Sequence, residues 1–276
     1  MICGIQGTAT DLAGKFIALY DKEKQEQKMK KRFSLAKKVV KEAGAFLNKQ
    51  SYSAEISSMS AYDVKLRQDI ESEKIILNEI IKNFPDDGYI SEEKGEKQGK
   101  SGYLWIIDPL DGTVNYYRGI PHCSISIACL NNTDGFGVVY NFFSGEMFTA
   151  QRGYGAFLNG HRIEVSKTDD LKDVILGFGL MKGKEEIQDG LSILSRIADR
   201  VKKIRMMGSA ALDICYVAAG RIDIFLEVGL NIWDIAAGKI ILEEAGGVYK
   251  VSLNDSKKLF FASNRFINVE WIWQNH

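Results

Sequence analysis

Histidine and cysteine are scarce in this sequence. There are three histidines, His122, His161 and His276, scattered along 276 residues. The four cysteines, Cys3, Cys123, Cys129 and Cys215, form no C-x-x-C pair. A zinc centre or a Ser-His-Asp machine needs clusters of imidazole or thiolate, so both are excluded as leading readings. Apolar neighbours such as Ile125 and Ile127 mark Cys123 and Cys129 as buried thiols of a reducing compartment. There is also no charge excess: Lys plus Arg and Asp plus Glu each count 36. That balance gives no electrostatic reason to expect nucleic acid or an anionic membrane as a partner. No run approaches the ~20 apolar residues of a membrane span, and the N-terminus lacks the pattern of a signal peptide. Neither a Walker A loop nor a full dinucleotide-binding glycine pattern occurs; Gly177-Phe178-Gly179 is only a fragment of one. The expectation is a cytoplasmic protein without nucleic-acid or membrane partners.

The composition that remains is ordinary for a globular protein, at 45% hydrophobic and 26% charged residues. A chain of this length buries roughly three quarters of its unfolded surface and needs no disulfide or structural metal. Residues 1–33 stand apart, because Lys22 to Arg32 is almost wholly polar. Charge runs are usually solvated, so 1–33 is expected to be a solvated extension ahead of a catalytic domain at 34–276. Phe33 to Leu47 carries the period of an amphipathic helix, and Asp69 to Phe84 reads as a second helix ended by Pro85-Asp86-Asp87-Gly88. Short β-branched or aromatic runs then predict strands at 104–107, 124–130, 136–141 and 147–151. The second half alternates strands at 174–178, 222–226 and 248–251 with helices at 185–201, 209–219 and 234–245. This interleaving predicts a layered α/β protein with a β-rich centre.

The segment richest in chemistry is Trp105-Ile106-Ile107-Asp108-Pro109-Leu110-Asp111-Gly112-Thr113-Val114-Asn115. An apolar strand runs into Asp108, and Pro109 is expected to stop it there. Asp111 follows one turn later, so two carboxylates can converge where α/β proteins usually place ligands. The Leu110 carbonyl offers a third oxygen, and Gly112-Thr113 starts a short helix whose free amides suit a phosphate. Taken singly, an Asp-Pro turn with an Asp cap is the commoner meaning of such a stretch. Glu92-Glu93 alone reads as surface charge, and Asp234, opening a helix at Trp233-Asp234-Ile235-Ala236-Ala237-Gly238, reads as a cap. The small residues at 236–238 would let that helix approach another backbone closely. Together, Glu92, Asp108, Asp111 and Asp234 would gather four carboxylates in one cleft. Like charges ~4 Å apart repel by about 4 kcal/mol at an effective dielectric of about 20, so such a cluster stays ionised only around cations. Oxygen ligands without histidine select magnesium, manganese or calcium.

These motifs resemble those of the inositol monophosphatase family. Asp108 to Asn115 matches the D-P-[IL]-D-G-T-x-N signature, Ile90-Ser91-Glu92-Glu93 is similar to the family's G-E-E element, and Trp233 to Gly238 to its W-D-x-A-[AG]-G element. The resemblance covers roughly Ser34 to the C-terminus. It implies an α/β/α/β/α sandwich of the inositol monophosphatase / fructose-1,6-bisphosphatase type, a lithium-sensitive homodimer, and two or three Mg2+ ions. By resemblance, Glu92, Asp108 and the Leu110 carbonyl hold one ion, and Asp108, Asp111 and Asp234 a second. Glu92 and Thr113 would activate water, with Asp69 orienting the threonine. The Gly112 and Thr113 amides would hold phosphate, and Asp111, Ala210 and Glu227 would contact the hydroxyls of the substrate, a small-molecule phosphate ester. The chain departs from the family at Asp63 to Asp69, where a usual threonine is missing, and at Ser57-Ser58-Met59-Ser60, where a common lysine is absent.

The implied reaction is hydrolysis of inositol 1-phosphate. The alternatives within the superfamily are fructose 1,6-bisphosphate, a nucleotide phosphate (NADP or 3'-phosphoadenosine 5'-phosphate) and histidinol phosphate. A phospho-aspartate mechanism would need D-x-D-x-[TV], which the D-x-x-D-G-T spacing does not supply. A non-catalytic regulatory protein on the same fold would be expected to have lost a ligand, and each matched ligand is present.

Overall fold

A computed structural model describes residues 9–51, 55–59, 64–180, 183–254 and 257–267. The first helix, α1, runs Ala9–Gln50 and so extends well beyond the amphipathic stretch expected from the sequence. Short of the expected boundary at 33/34, Met29 and Arg32 are already buried. The Arg32 guanidinium lies over the rings of Phe84 and Tyr103, 4.2 and 3.6 Å from their centroids. Its Nε and Nη2 donate to Asp87 at 2.7 and 2.8 Å. A buried guanidinium persists only with such a charged partner, so this end of the polar run belongs to the packed body. Residues 1–8 lie outside the described residues.

The chain continues as β1 (Ile56–Met59), β2 (Val64–Leu66), α2 (Arg67–Asn83), β3 (Gly88–Ser91), β4 (Gly95–Lys97), β5 (Leu104–Asp111) and α3 (Thr113–Tyr117). A meander follows: β6 (Ser124–Leu130), β7 (Gly135–Asn141), β8 (Glu146–Gln151), β9 (Gly155–Leu158) and β10 (His161–Ile163). β1 and β2 pair as a small antiparallel hairpin, and the rest form an eight-stranded sheet ordered β10-β9-β8-β7-β6-β5-β3-β4. In that sheet β3 and β5 run parallel; its other pairs are antiparallel. The second half supplies β11 (Ile175–Gly179), α4 (Lys184–Ile197), β12 (Lys203–Arg205), α5 (Ala210–Ala218), β13 (Ile224–Val228), α6 (Ile232–Glu244), β14 (Val248–Asn254) and β15 (Lys257–Ser263). These strands make a five-stranded sheet ordered β12-β11-β13-β15-β14.

Side-chain alternation along the strands builds the layers. On β5, Trp105 and Ile107 enter the core shared with α1 and α2, while Ile106 faces α5 and α6. On β13, Phe225 faces α5 and α6, while Ile224 and Leu226 join Ile193 and Ile197 of α4. Strands buried on both faces read as continuous apolar runs, as Leu104 to Ile107 does. The result is the five-layer α/β/α/β/α order: α1 and α2, the large sheet, α5 and α6, the small sheet, α4. The small residues of α6 do bring backbones together: a side chain at Gly137 of β7 would overlap the Ala237 carbonyl. Among the described residues, no helix is long and apolar enough to cross a membrane.

Candidate active site

The strand that delivers Asp108 does not stop at Pro109. It continues to Asp111 through a bulge, with Asp108 opposite Ser126 and Asp111 opposite Ser124 on β6. Proline is tolerated at a bulge, because the ladder is interrupted there and its missing N–H costs nothing. The extra residue also decides the chemistry. Residues three apart on a regular strand point to opposite faces, but Ser124 and Ser126 are two apart and share a face, and so do the aspartates opposite them. The Leu110 amide donates to Asp108 Oδ1 at 3.0 Å and holds the bend.

Glu92 follows β3, whose Ser91 lies beside Ile107 in the parallel register, and the Glu92 amide donates to the Ile107 carbonyl at 3.3 Å. Asp234, in the first turn of α6, accepts the Asn231 amide hydrogen at 2.6 Å, so it caps its helix as well as facing the cleft. Glu92, Asp108, Leu110, Asp111, Gly112, Thr113, Ala210, Glu227 and Asp234 line one cavity of about 420 Å³. Asp69 is not among its lining residues. It is buried in the first turn of α2, where its Oδ2 accepts the Leu66 amide hydrogen at 2.7 Å.

Burial pushes the Asp108 carboxyl well above the usual carboxylate range, and repulsion from Glu92, Asp111 and Asp234 pushes it further. Burial also raises Asp111, which the Ser209 hydroxyl and the Ala211 amide, at 3.0 Å, partly offset by donating to its Oδ2. Among the described residues no three such groups already surround a single point. The donor set fits a hard divalent ion: four carboxylates and a backbone carbonyl, with no imidazole or thiol among the described residues of the wall.

The turn after Asp111 depends on Gly112, whose φ is 85° and where a Cβ would meet the carbonyls of His122 and Gly208 at 3.0 and 3.1 Å. A β-carbon there would be strained in conformation and crowded in space. The Thr113 hydroxyl donates to the Leu110 carbonyl at 3.1 Å. Asn115 Nδ2 donates to the carbonyls of His122 and Met207, both at 2.7 Å, which brings the 207–211 segment against the motif and places Ala210 on the cavity wall. Glu227, half-buried at the end of β13, enters from the small sheet.

Several contributors were hidden in the sequence. Ser72 Oγ donates to the Pro109 carbonyl at 2.8 Å and so ties α2 to the bulge. Its neighbour Glu73 is buried and bonds the chain on both sides of Glu92. His122 pairs with buried Asp213 behind Asp111. An alternating helical pattern gives the acids at 73 and 213 no distinguishing mark; only their burial does. Asp63 and Ser60, where the sequence departs from the family, lie outside the described residues, and Ser57 and Ser58 lie exposed on β1.

The model of the inositol monophosphatase family matches residues 24–274. The chain belongs to the inositol monophosphatase family. The match begins within the polar run of α1, consistent with the burial of Met29 and Arg32. The Nus factor SuhB of Pasteurella multocida is 43% identical over 192 residues, covering 68% of this chain and 72% of that protein. The inositol-1-monophosphatase of Rhizobium meliloti is 40% identical over 218 residues, covering 78% of this chain and 80% of that protein. Among solved structures, the extragenic suppressor protein suhB of Bartonella henselae superposes with a TM-score of 0.79 at 37% identity, covering 84% of this chain and 93% of that one. The Thermotoga maritima IMPase gives 0.76 at 35% identity, covering 86% and 93%. The layered fold expected from the motifs is therefore the family fold.

Proposed function

We propose that this protein hydrolyses a phosphate monoester of a small polyol, inositol 1-phosphate foremost. The observation that supports this best is the convergence of Glu92, Asp108, Asp111 and Asp234, from three separate elements, on one cavity. Glu92, Asp108 and the Leu110 carbonyl would hold one magnesium ion, and Asp108, Asp111 and Asp234 another. When bound, magnesium neutralises the phosphate and acidifies water.

The chain's own groups do the rest. The Thr113 hydroxyl, which spends its proton on the Leu110 carbonyl, keeps its lone pairs to accept from the attacking water. Glu92 takes the proton that the water loses as its oxygen attacks phosphorus. The ester P–O bond breaks, and the departing alkoxide takes up a proton. The Gly112 and Thr113 amides would bind the phosphate oxygens. Asp69, in the first turn of the helix that grips the bulge, is the residue that family likeness assigns to orienting Thr113. Glu227, Ala210 and Asp111 would face the hydroxyls of the leaving group. Lithium would inhibit by competing at the Asp111–Asp234 position.

A regulatory reading has its own support, since relatives as similar as the P. multocida protein carry the name Nus factor. One assay separates the two. Phosphate release would be measured from inositol 1-phosphate, fructose 1,6-bisphosphate, NADP, 3'-phosphoadenosine 5'-phosphate and histidinol phosphate, with magnesium and with excess chelator. Release is expected to be fastest from inositol 1-phosphate and to vanish in chelator. No release from any ester would favour the regulatory role, and full release in chelator would sink the metal assignment.

A further inference from the structure

We infer that Glu73 is a positioning residue that sets the place of Glu92 in the cleft. Glu73 lies on α2, is not among the residues lining the cavity, and is 1% exposed. Its Oε1 accepts three hydrogen bonds: from the Ser91 hydroxyl, from the Glu93 amide at 3.0 Å and from the Lys94 amide at 3.1 Å. Those donors come from immediately before and immediately after Glu92. The Glu92 amide is itself spent on the Ile107 carbonyl of β5. The backbone that carries Glu92 is therefore clamped on one side to the strand leading into Asp108, and on the other to a buried carboxylate.

A buried carboxyl group persists when donors surround it. Three donors converging on one oxygen make this clamp stiff, and stiffness counts at this position. Glu92 faces Asp108 across a repulsive gap, and a loosely held acid would swing away from it. The same helical turn holds the other acidic segment, because Ser72 bonds the Pro109 carbonyl between Asp108 and Asp111. Adjacent residues of α2 thus fix both acidic segments from behind. Loss of such an outer partner typically costs about 10–100-fold in metal affinity or activity.

The inference rests on the reading of the cleft as a magnesium site, and the experiment tests the two separately. Magnesium binding to wild type, Glu73→Gln, Glu73→Ala and Ser91→Ala would be measured by titration calorimetry, alongside kcat, KM and thermal unfolding. Ile197→Val, on the buried face of α4, serves as a control for simple loss of stability. Glu73→Ala is expected to bind magnesium at least about tenfold more weakly and to lose kcat, with KM for the ester little changed. Glu73→Gln, which keeps an acceptor, should recover part of the affinity, and the control should bind as wild type does. Wild-type magnesium affinity in folded Glu73→Ala overturns the inference. Should that variant not fold, equal affinity of wild type, Glu73→Gln and Ser91→Ala overturns it instead. No magnesium binding by the wild type would overturn the metal site itself, and this inference with it.

Discussion

His122 Nε2 stands 3.2 Å from Asp213 Oδ1, a partly buried ring against a buried carboxyl group. Burial pushes the Asp213 carboxyl up from an ordinary 3.8 to about 6, against the pull of His122 and with a smaller push from Asp111. Because the folded protein holds this proton more tightly than the unfolded chain, the contribution to stability is full below the ordinary value. It is lost as pH rises through about 6.

Asp213→Asn removes that dependence while keeping an acceptor for His122. The variant should gain stability relative to wild type as pH rises from about 4 to about 6, with a constant difference above that. Urea unfolding across this range tests it. A stability difference that does not change with pH would mean that Asp213 stays ionised throughout, held by His122.

Glu92→Gln and Asp234→Asn should separate activity from stability. Under the proposed metal assignment each would remove a charged ligand, so kcat should fall by roughly two orders of magnitude or more, at about tenfold per 1.4 kcal/mol of lost charge stabilisation. Each also removes a charge that repels Asp108. In chelator, both variants should therefore unfold at or above the wild-type temperature, while magnesium should raise the Tm of the wild type most. Wild-type rates in either variant, or a large loss of Tm in chelator, would show that the acid serves the fold.

Glu227→Gln probes the substrate wall. An ionised carboxylate can accept from two hydroxyls, and such bonds contribute about 1.5–3 kcal/mol each. The expected loss in kcat/KM for inositol 1-phosphate is roughly one to two decades, with little change for p-nitrophenyl phosphate. Equal losses on both substrates would move Glu227 from the substrate to the framework of the cleft.

The strand into Asp108 and the acids around it were legible because an apolar run ending in D-P-L-D-G-T has few meanings. The bulge was not. Pro109 was expected to end the strand, since in isolation it forbids a ladder bond, and only the pairing with Ser124 and Ser126 shows the chain carrying on past it. The length of α1 was hidden for a different reason. Lys, Glu and Gln are good helix formers, so a polar run can extend a helix with no apolar face to betray it. Glu73 was illegible because its partners lie about twenty residues away, at the end of β3, a four-residue strand too short to show a period. Asp69, matched by likeness to an aspartate that orients the threonine, accepts the Leu66 amide hydrogen one turn from the residue that holds Pro109.

Gly137 has no side chain, and the Ala237 carbonyl occupies the room one would need. Asp234 lies three residues before Ala237 on the same helix, about one turn away. Strand and helix rest on each other as bare backbone, like two machined faces without a gasket. A single methyl group at 137 would act as a shim, lifting α6 and carrying Asp234 away from the aspartates of the large sheet. The tolerance of the active site is thus set some distance from the chemistry, by the thickness of an atom that is not there.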